Sequence, residues 1–145
     1  MPTTYQSTIV KASLQDVWDR ISDFHDLSWA PEVITKCEKV GDVDGHEVGA
    51  KRVLNDAFHE TVTRIDAGQH VFEYSIDDGP SPVSPNDVSN YLGVIRLKPV
   101  TMSAGDETFV EWSSSWDSDS CEAVDFCCGI YVALLGGLKA SFETA

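Results

Sequence analysis

Short runs in which apolar and polar residues alternate occupy most of the chain, and this is the pattern of half-buried β-strands. The run from Thr3 to Val10 is rich in β-branched residues and predicts the first strand. Six further strands are predicted between turns rich in Gly, Asn, Asp and Pro, over residues 33–40, 48–54, 58–65, 71–76, 91–97 and 108–116. The connection at 77–87 carries three prolines and is predicted to be a loop.

Two short helices are predicted directly after the first strand. Ser13 has the character of an N-cap residue, and apolar residues follow it at helical spacing, at Val17, Trp18 and Ile21. A second apolar group predicts another short helix, with Phe24, Leu27 and Trp29. This helix is expected to end before Pro31, because the residue that precedes a proline is pushed out of the α region.

The C-terminal part of the chain carries a helical repeat. Apolar residues recur at spacings of three and four, at Val124, Cys128, Tyr131, Leu135, Leu138 and Phe142. They predict an amphipathic helix over residues 121–143, about 34 Å long at roughly 1.5 Å per residue. Small residues on the opposite face would either be simply exposed or allow another helix or subunit to approach: Gly129, Val132 and Gly136.

The order of these elements is one strand, two short helices, six strands and one long helix. Consecutive strands followed by a terminal helix predict an α+β fold with an antiparallel sheet of about seven strands. The long C-terminal helix is the element large enough to cover one face of that sheet. The chain of 145 residues has the usual length of one domain, so a single domain over residues 1–145 is expected.

Composition narrows the class of partner. Lys and Arg number 10 against 24 Asp and Glu, a net charge of −14, which makes binding to nucleic acid or anionic lipid unfavourable. The start of the chain has no signal-peptide pattern, and the apolar stretch 126–138 is too short for a membrane span. The four cysteines have no zinc-site spacing and are expected to be reduced thiols. We therefore expect a cytoplasmic protein without membrane insertion, metal or cofactor, as a monomer or weak homodimer.

One predicted hairpin brings opposite charges together. If the chain turns at residues 55–57, Leu54 pairs with Phe58 and Arg52 pairs with Glu60, and directly opposed residues share a face of the sheet. One interpretation is an ordinary cross-strand ion pair. The other is a general acid or base carboxylate beside a cation that holds a substrate oxygen. The residue types alone leave both interpretations open.

Motifs along the whole chain carry a resemblance to a known superfamily. They include Trp29-Ala30-Pro31-Glu32-Val33, Gly49 with Arg52, Glu60 with Val62, Tyr74 with Ile76, Pro99-Val100, Glu111-Trp112, and Tyr131 with Leu135, Leu138 and Lys139. In order and spacing the chain resembles the START/SRPBCC superfamily of helix-grip proteins, shared with the birch-pollen allergens, and most closely its polyketide cyclase/dehydratase-like branch. The resemblance implies a curved sheet wrapped around the long helix, with a cavity for apolar or amphipathic small molecules between them.

The same resemblance implies site residues. The chain is similar to plant lachrymatory-factor synthases at Gly49, Arg52 and Glu60, which implies that Arg52 and Glu60 form a catalytic pair with Tyr74 and Tyr91 nearby. The cavity walls are expected to be apolar and aromatic, with Phe24, Trp29, Leu54, Phe58, Val62, Trp112, Tyr131, Leu134, Leu135 and Leu138.

Two functions remain open at this point. In an enzyme that needs no cofactor and catalyses cyclisation, dehydration or isomerisation, Glu60 would move a proton and Arg52 would hold the developing oxyanion, while Tyr74 and Tyr91 would orient the substrate. In a carrier or sensor, the Arg52–Glu60 pair would only anchor the ligand head group, and the proline-rich loop at 80–85 would gate the cavity. A weaker third possibility is a protein-interaction module that uses the acidic surface.

Overall fold

The computed structural model describes residues 2–143 and confirms the α+β architecture. The elements in chain order are β1 (Thr3–Val10), α1 (Leu14–Ile21), β2 (Cys37–Val40), β3 (Lys51–Leu54), β4 (Phe58–Asp66), β5 (Val71–Asp78), β6 (Ser89–Pro99), β7 (Thr108–Asp117) and α2 (Glu122–Ser141). The strands form one antiparallel sheet in the order β1-β7-β6-β5-β4-β3-β2. Strands β2 to β7 therefore lie side by side in sequence order, and β1 pairs with β7 and forms one edge of the sheet.

Alternation of buried and more exposed residues on β6 and β7 makes one face of the sheet mainly apolar. On β7 every second residue is buried, from Thr108 to Trp116. Helix α2 packs its apolar face on this surface and buries Ala123, Cys127, Tyr131, Leu134, Leu135 and Leu138. The predicted apolar stripe is therefore confirmed at Tyr131, Leu135 and Leu138. Towards the ends of the helix it is less accurate: Cys127 is buried where Cys128 was expected, and Val124 and Phe142 are only half-buried.

Helix α2 has, by length and composition, the character of a membrane-spanning segment. Its 20 residues exceed the apolar stretch 126–138, which by itself is too short for a membrane span. In the structure the apolar side of α2 lies against the sheet and forms part of the core. This is the arrangement of the core helix of an α+β domain.

Helix α1 begins as predicted, since the Ser13 hydroxyl accepts a hydrogen bond from the Asp16 amide. The predicted second helix is wrong, because the segment that follows α1 forms a series of turns. The carboxylates of Asp23 and Asp26 accept hydrogen bonds from the amides of His25 and Ser28. Such local side-chain bonds compete with the helical pattern.

Strands β2 and β3 begin later than predicted. Residues 33–36 lie outside β2 because the Asn55 side chain takes over their backbone bonds, accepting from the amides of Thr35 and Lys36. Strand β3 begins at Lys51, two residues after Gly49, whose positive φ of 95° interrupts an extended strand. The shortened strands leave an irregular segment, residues 23–36, over one end of the sheet.

Candidate ligand-binding cavity

An internal cavity lies between the inner face of the sheet and α2. Its volume is about 40 Å³, which is far smaller than that of a typical ligand site. Its lining comes from β3, β4, β5, β6, β7, α2 and the 23–36 segment, with Ile34, Arg52, Leu54, Phe58, Glu60, Tyr74, Ile76, Tyr91, Trp112, Cys127, Ile130, Tyr131 and Leu134. The lining is mainly apolar, and its polar atoms come from an ion pair and a group of tyrosines.

The β3–β4 hairpin creates the ion pair. Its register confirms the predicted pairing of Arg52 with Glu60 and of Leu54 with Phe58. The turn is tight because Asn55 and Asp56 both adopt positive φ, at 53° and 57°. Arg52 Nε lies 2.8 Å and Arg52 Nη2 2.6 Å from Glu60 Oε1, and both side chains are buried.

The guanidinium of Arg52 is also held from the side of the 23–36 segment. Its Nη1 donates to the carbonyl oxygen of Phe24 at 3.1 Å. Its Cζ lies over the Phe24 ring, 3.7 Å from the ring centroid. Phe24 is therefore a support for Arg52, although it does not line the cavity itself.

Glu60 is less well satisfied than its partner. Both contacts from Arg52 end on Oε1, and Oε2 accepts no hydrogen bond from residues 2–143. Burial raises the pKa of Glu60 above its ordinary value, while the positive charge of Arg52 opposes this shift and the negative charge of Asp77 adds to it. A carboxylate with one free oxygen therefore lines the cavity.

Three tyrosine hydroxyls converge beside the pair. Tyr131 of α2 bonds to the hydroxyls of both Tyr74, at 3.0 Å, and Tyr91. The indole nitrogen of Trp112 donates to Tyr74 at 2.9 Å, and the Tyr91 hydroxyl donates to the Cys127 sulfur. Burial raises the pKa of all three tyrosines well above the ordinary value, so they stay neutral.

A glycine determines where Tyr74 lies. Gly93 of β6 pairs directly with Tyr74 of β5. A Cβ atom at Gly93 would lie 2.2 Å from Tyr74 Cζ, so the ring occupies the space that any other residue would fill. The close approach of the ring to the β6 backbone therefore requires glycine at this position.

One buried polar atom near the tyrosines, the indole nitrogen of Trp116, has no hydrogen-bond partner among the described residues. Trp116 stacks on Tyr91 with ring centroids 5.5 Å apart. Buried polar atoms in native proteins normally find a partner in protein, water or ligand. This end of the interior therefore has hydrogen-bonding capacity that the protein does not use.

The structure brings most of the predicted site residues to the cavity, but not all of them. Nine line it: Arg52, Glu60, Tyr74, Tyr91, Leu54, Phe58, Trp112, Tyr131 and Leu134. Val62, Leu135 and Leu138 are buried in the core and do not contribute to the lining. Trp29 lines a groove on the outer side of α2 instead.

Four lining residues were not predicted: Ile34, Ile76, Cys127 and Ile130. Ile76 lies two residues after Tyr74 on the same face of β5, so strand alternation could have identified it. Cys127 lies four residues before Tyr131, which is helical spacing. Ile34 belongs to the irregular segment, and no periodicity points to it.

The groove on the outer side of α2 is larger, with a volume of about 690 Å³, and it is open to solvent. It lies between residues 28–33 and small residues of α2, with Ala133, Gly136, Gly137 and Ala140. Neither Arg52, Glu60 nor the tyrosines reach it. We therefore assign the candidate chemistry to the internal cavity. Within residues 2–143, no group of three or more His, Cys, Asp or Glu side chains is arranged to hold a metal ion.

Solved structures with the same fold cover almost the whole chain. A protein from Nitrosospira multiformis is 46% identical over 99% of this chain and 97% of its own, with a TM-score of 0.94. The protein XoxI from Bacillus cereus is 28% identical over 98% of this chain and 96% of its own, with a TM-score of 0.80. No curated protein matches the chain.

A more distant structure identifies the fold type. Norcoclaurine synthase from Thalictrum flavum, solved with dopamine and hydroxybenzaldehyde, is 18% identical over 95% of this chain and 84% of its own, with a TM-score of 0.73. This Bet v1-like protein shares the helix-grip fold. Residues 1–143 match the family described as polyketide cyclase / dehydrase and lipid transport. The chain therefore belongs to this family of helix-grip proteins, in the superfamily that its sequence resembles.

Proposed function

We propose that the protein binds an apolar or amphipathic small molecule between the sheet and α2. The observation that carries this proposal is the internal cavity, which combines apolar walls with one polar end. Arg52, Glu60 and the three tyrosine hydroxyls form that end. Family membership supports a domain of this type for hydrophobic ligands. The polar end would hold the head group, and the apolar walls would cover the rest of the molecule.

The volume of the cavity implies that binding widens the interior. Ligand sites of ordinary size occupy roughly 300 Å³ or more, whereas this cavity has about 40 Å³. Ile34 is the lining residue that belongs to no helix or strand. Its segment is the part of the lining that can move without breaking the sheet or α2. We propose that this segment opens the cavity.

A second candidate function is proton transfer on the bound molecule, without a cofactor. The free Oε2 of Glu60 favours it, because a base must reach the proton that it removes. Glu60 would accept the proton, Arg52 would stabilise the negative charge, and Tyr74 and Tyr91 would orient the substrate. On this hypothesis Glu60→Gln abolishes turnover, while the variant still takes up an uncharged molecule.

Binding of the uncharged fluorescent probe N-phenyl-1-naphthylamine tests the proposal. We expect the wild type to take up one probe molecule per chain. The variant Gly93→Ala adds a methyl group where Tyr74 lies and should weaken binding at least about tenfold, a loss of roughly 1.4 kcal/mol. The matched control Gly136→Ala has no atom within 4 Å of the added Cβ and lines the outer groove, so it should leave binding unchanged.

The two variants distinguish the two possible places. Weaker binding in Gly136→Ala with normal binding in Gly93→Ala would move the site to the outer groove and refute the proposal. Absence of uptake by the wild type would refute it as well. Thermal melts of both variants show whether each is folded under the conditions of the titration.

A further inference from the structure

The charge balance inside the cavity restricts the class of ligand. Arg52 carries the positive charge of the lining, and Glu60 neutralises it at hydrogen-bond distance. The guanidinium donates from Nε to Glu60 and from Nη1 to the carbonyl oxygen of Phe24, its Nη2 lies 2.6 Å from Glu60 Oε1, and its Cζ lies over the Phe24 ring. A ligand carboxylate beside this cation would also lie beside the Glu60 carboxylate, and two negative charges that share one buried cation repel each other.

The polar end offers one free carboxylate oxygen as a hydrogen-bond acceptor. Glu60 Oε2 lines the cavity and receives no hydrogen bond from the described residues. A hydroxyl group on the ligand can donate to this oxygen, and a hydrogen bond to a charged acceptor is among the stronger ones in proteins. An ether or a hydrocarbon at the same place would leave the carboxylate oxygen without a partner.

The walls beside the polar end are flat. Trp112 and Tyr131 stack with ring centroids 4.8 Å apart and an angle of 21° between their planes, and both line the cavity. Phe58, another lining residue, stacks on Phe126 of α2 at 6.3 Å. Aromatic side chains pack well against flat rings in offset or edge arrangements. A planar ligand therefore needs the smallest displacement of these walls.

We propose that the cavity selects uncharged, planar aromatic molecules that carry a hydroxyl group, and that it rejects carboxylates such as fatty acids. The hydroxyl donates to Glu60 Oε2, and the ring lies against the aromatic walls near Trp112. This inference rests on the proposed function, because it assumes that the ligand enters the cavity. It adds the chemical class of the ligand, and it identifies Glu60 as the residue that discriminates between neutral and anionic ligands.

Three naphthalene probes of similar shape separate these properties. At about pH 7 2-naphthol is neutral and donates a hydrogen bond, 2-naphthoate is an anion, and 2-methoxynaphthalene is neutral without a donor. Isothermal titration calorimetry on the wild type should give the tightest binding for 2-naphthol. The expected advantage over each of the other two is at least about tenfold.

Glu60→Gln provides the reciprocal test. The substitution removes the carboxylate and leaves Arg52 as a cation without a counter-charge, because arginine stays protonated. The variant should bind 2-naphthoate more tightly than the wild type does, and it should lose the preference for 2-naphthol. The control His59→Gln changes the preceding, exposed residue of β4 and should keep the wild-type order.

The outcomes separate this inference from the proposed function. Equal affinity of the wild type for all three probes, or tighter binding of 2-naphthoate, would refute the ligand class and leave cavity binding intact. Failure of all three probes and of N-phenyl-1-naphthylamine to bind would refute the proposed function itself. The comparison of the three probes on the wild type decides the question even where Glu60→Gln does not fold.

Discussion

At the scale of single residues, the buried Arg52–Glu60 pair contributes little to the free energy of unfolding, because the loss of hydration offsets the attraction between its charges. Removing two charges from water is expensive, and apolar replacements of a buried pair are often neutral or stabilising. Loss of one partner typically costs about 3–5 kcal/mol, because it leaves a buried charge behind. The pair is placed at a cavity wall, where Glu60 keeps one oxygen free. This placement suits ligand recognition better than it suits stability.

The pKa of Glu60 makes a prediction about stability and pH. Burial raises this pKa above the ordinary 4.5 despite the presence of Arg52. The folded state therefore binds the proton more tightly than the unfolded state does. The favourable contribution of Glu60 is complete below about pH 4.5 and is lost as the pH rises through the folded-state pKa.

Urea unfolding of the wild type and of Glu60→Gln between about pH 4 and pH 7 measures this contribution. The free energy of unfolding of the wild type, relative to that of the variant, should fall as the pH rises. His59→Gln, as the exposed control, should not reproduce this trend. A relative stability that increases with pH would mean that attraction to Arg52 exceeds the cost of burial.

At the scale of elements, the β3–β4 turn holds the segment that covers the cavity. The Asn55 carboxamide accepts from the amides of Thr35 and Lys36 and donates to the carbonyl of Val33. Ile34, which lines the cavity, lies between these anchored residues. One side chain of the turn therefore connects the hairpin that carries the ion pair to the segment above it.

Replacement of Asn55 should loosen this cover. Asn55→Gly keeps the positive φ of the turn and removes four hydrogen bonds to the segment, three with its backbone and one with the Thr35 hydroxyl, so we expect a loss of about 1–3 kcal/mol in stability. Stopped-flow mixing with N-phenyl-1-naphthylamine should show faster uptake than in the wild type. The physical reason is that Ile34 then moves aside more readily.

Asp56→Gly is the matched control for the turn. Asp56 also has positive φ, and its carboxylate contacts the exposed Lys36 side chain instead of the segment's backbone. This variant should take up the probe at the wild-type rate. Equal acceleration in both variants would show that the bonds from Asn55 to the segment's backbone do not control entry.

The elements also show which parts of the structure could be predicted from the sequence. Alternation and helical spacing predicted the sheet, α1 and α2, and the turn at Asn55 predicted the pairing of Arg52 with Glu60. The sequence could not show that Tyr131 meets Tyr74, because such a contact depends on how α2 docks on the sheet. The segment from 23 to 36 was predicted least well. Side-chain hydrogen bonds determine its path, and they leave no periodic signal.

At the scale of the whole molecule, the distribution of charge is uneven. The net charge is −14, and no Lys or Arg occurs between Lys98 and Lys139. This stretch includes β7 and most of α2. Like charges on a compact protein repel one another and favour expansion. The same negative field opposes the approach of anionic molecules. It therefore acts in the same direction as the selectivity that we propose for the cavity, which also disfavours anions.

Salt should therefore stabilise the protein. The Debye length falls from about 30 Å at 0.01 M salt to about 8 Å at 0.15 M, so added NaCl screens the repulsion and should raise the Tm. Asp119→Asn removes an exposed charge that forms no ion pair with the described residues and should raise the Tm at low salt but not at high salt. In contrast, Asp56→Asn removes a carboxylate 2.9 Å from Lys36 Nζ and should bring no such gain. A Tm that falls with added salt would mean that surface ion pairs outweigh the repulsion. Attraction between oppositely charged surface groups would then stabilise the fold more than the excess of negative charge destabilises it.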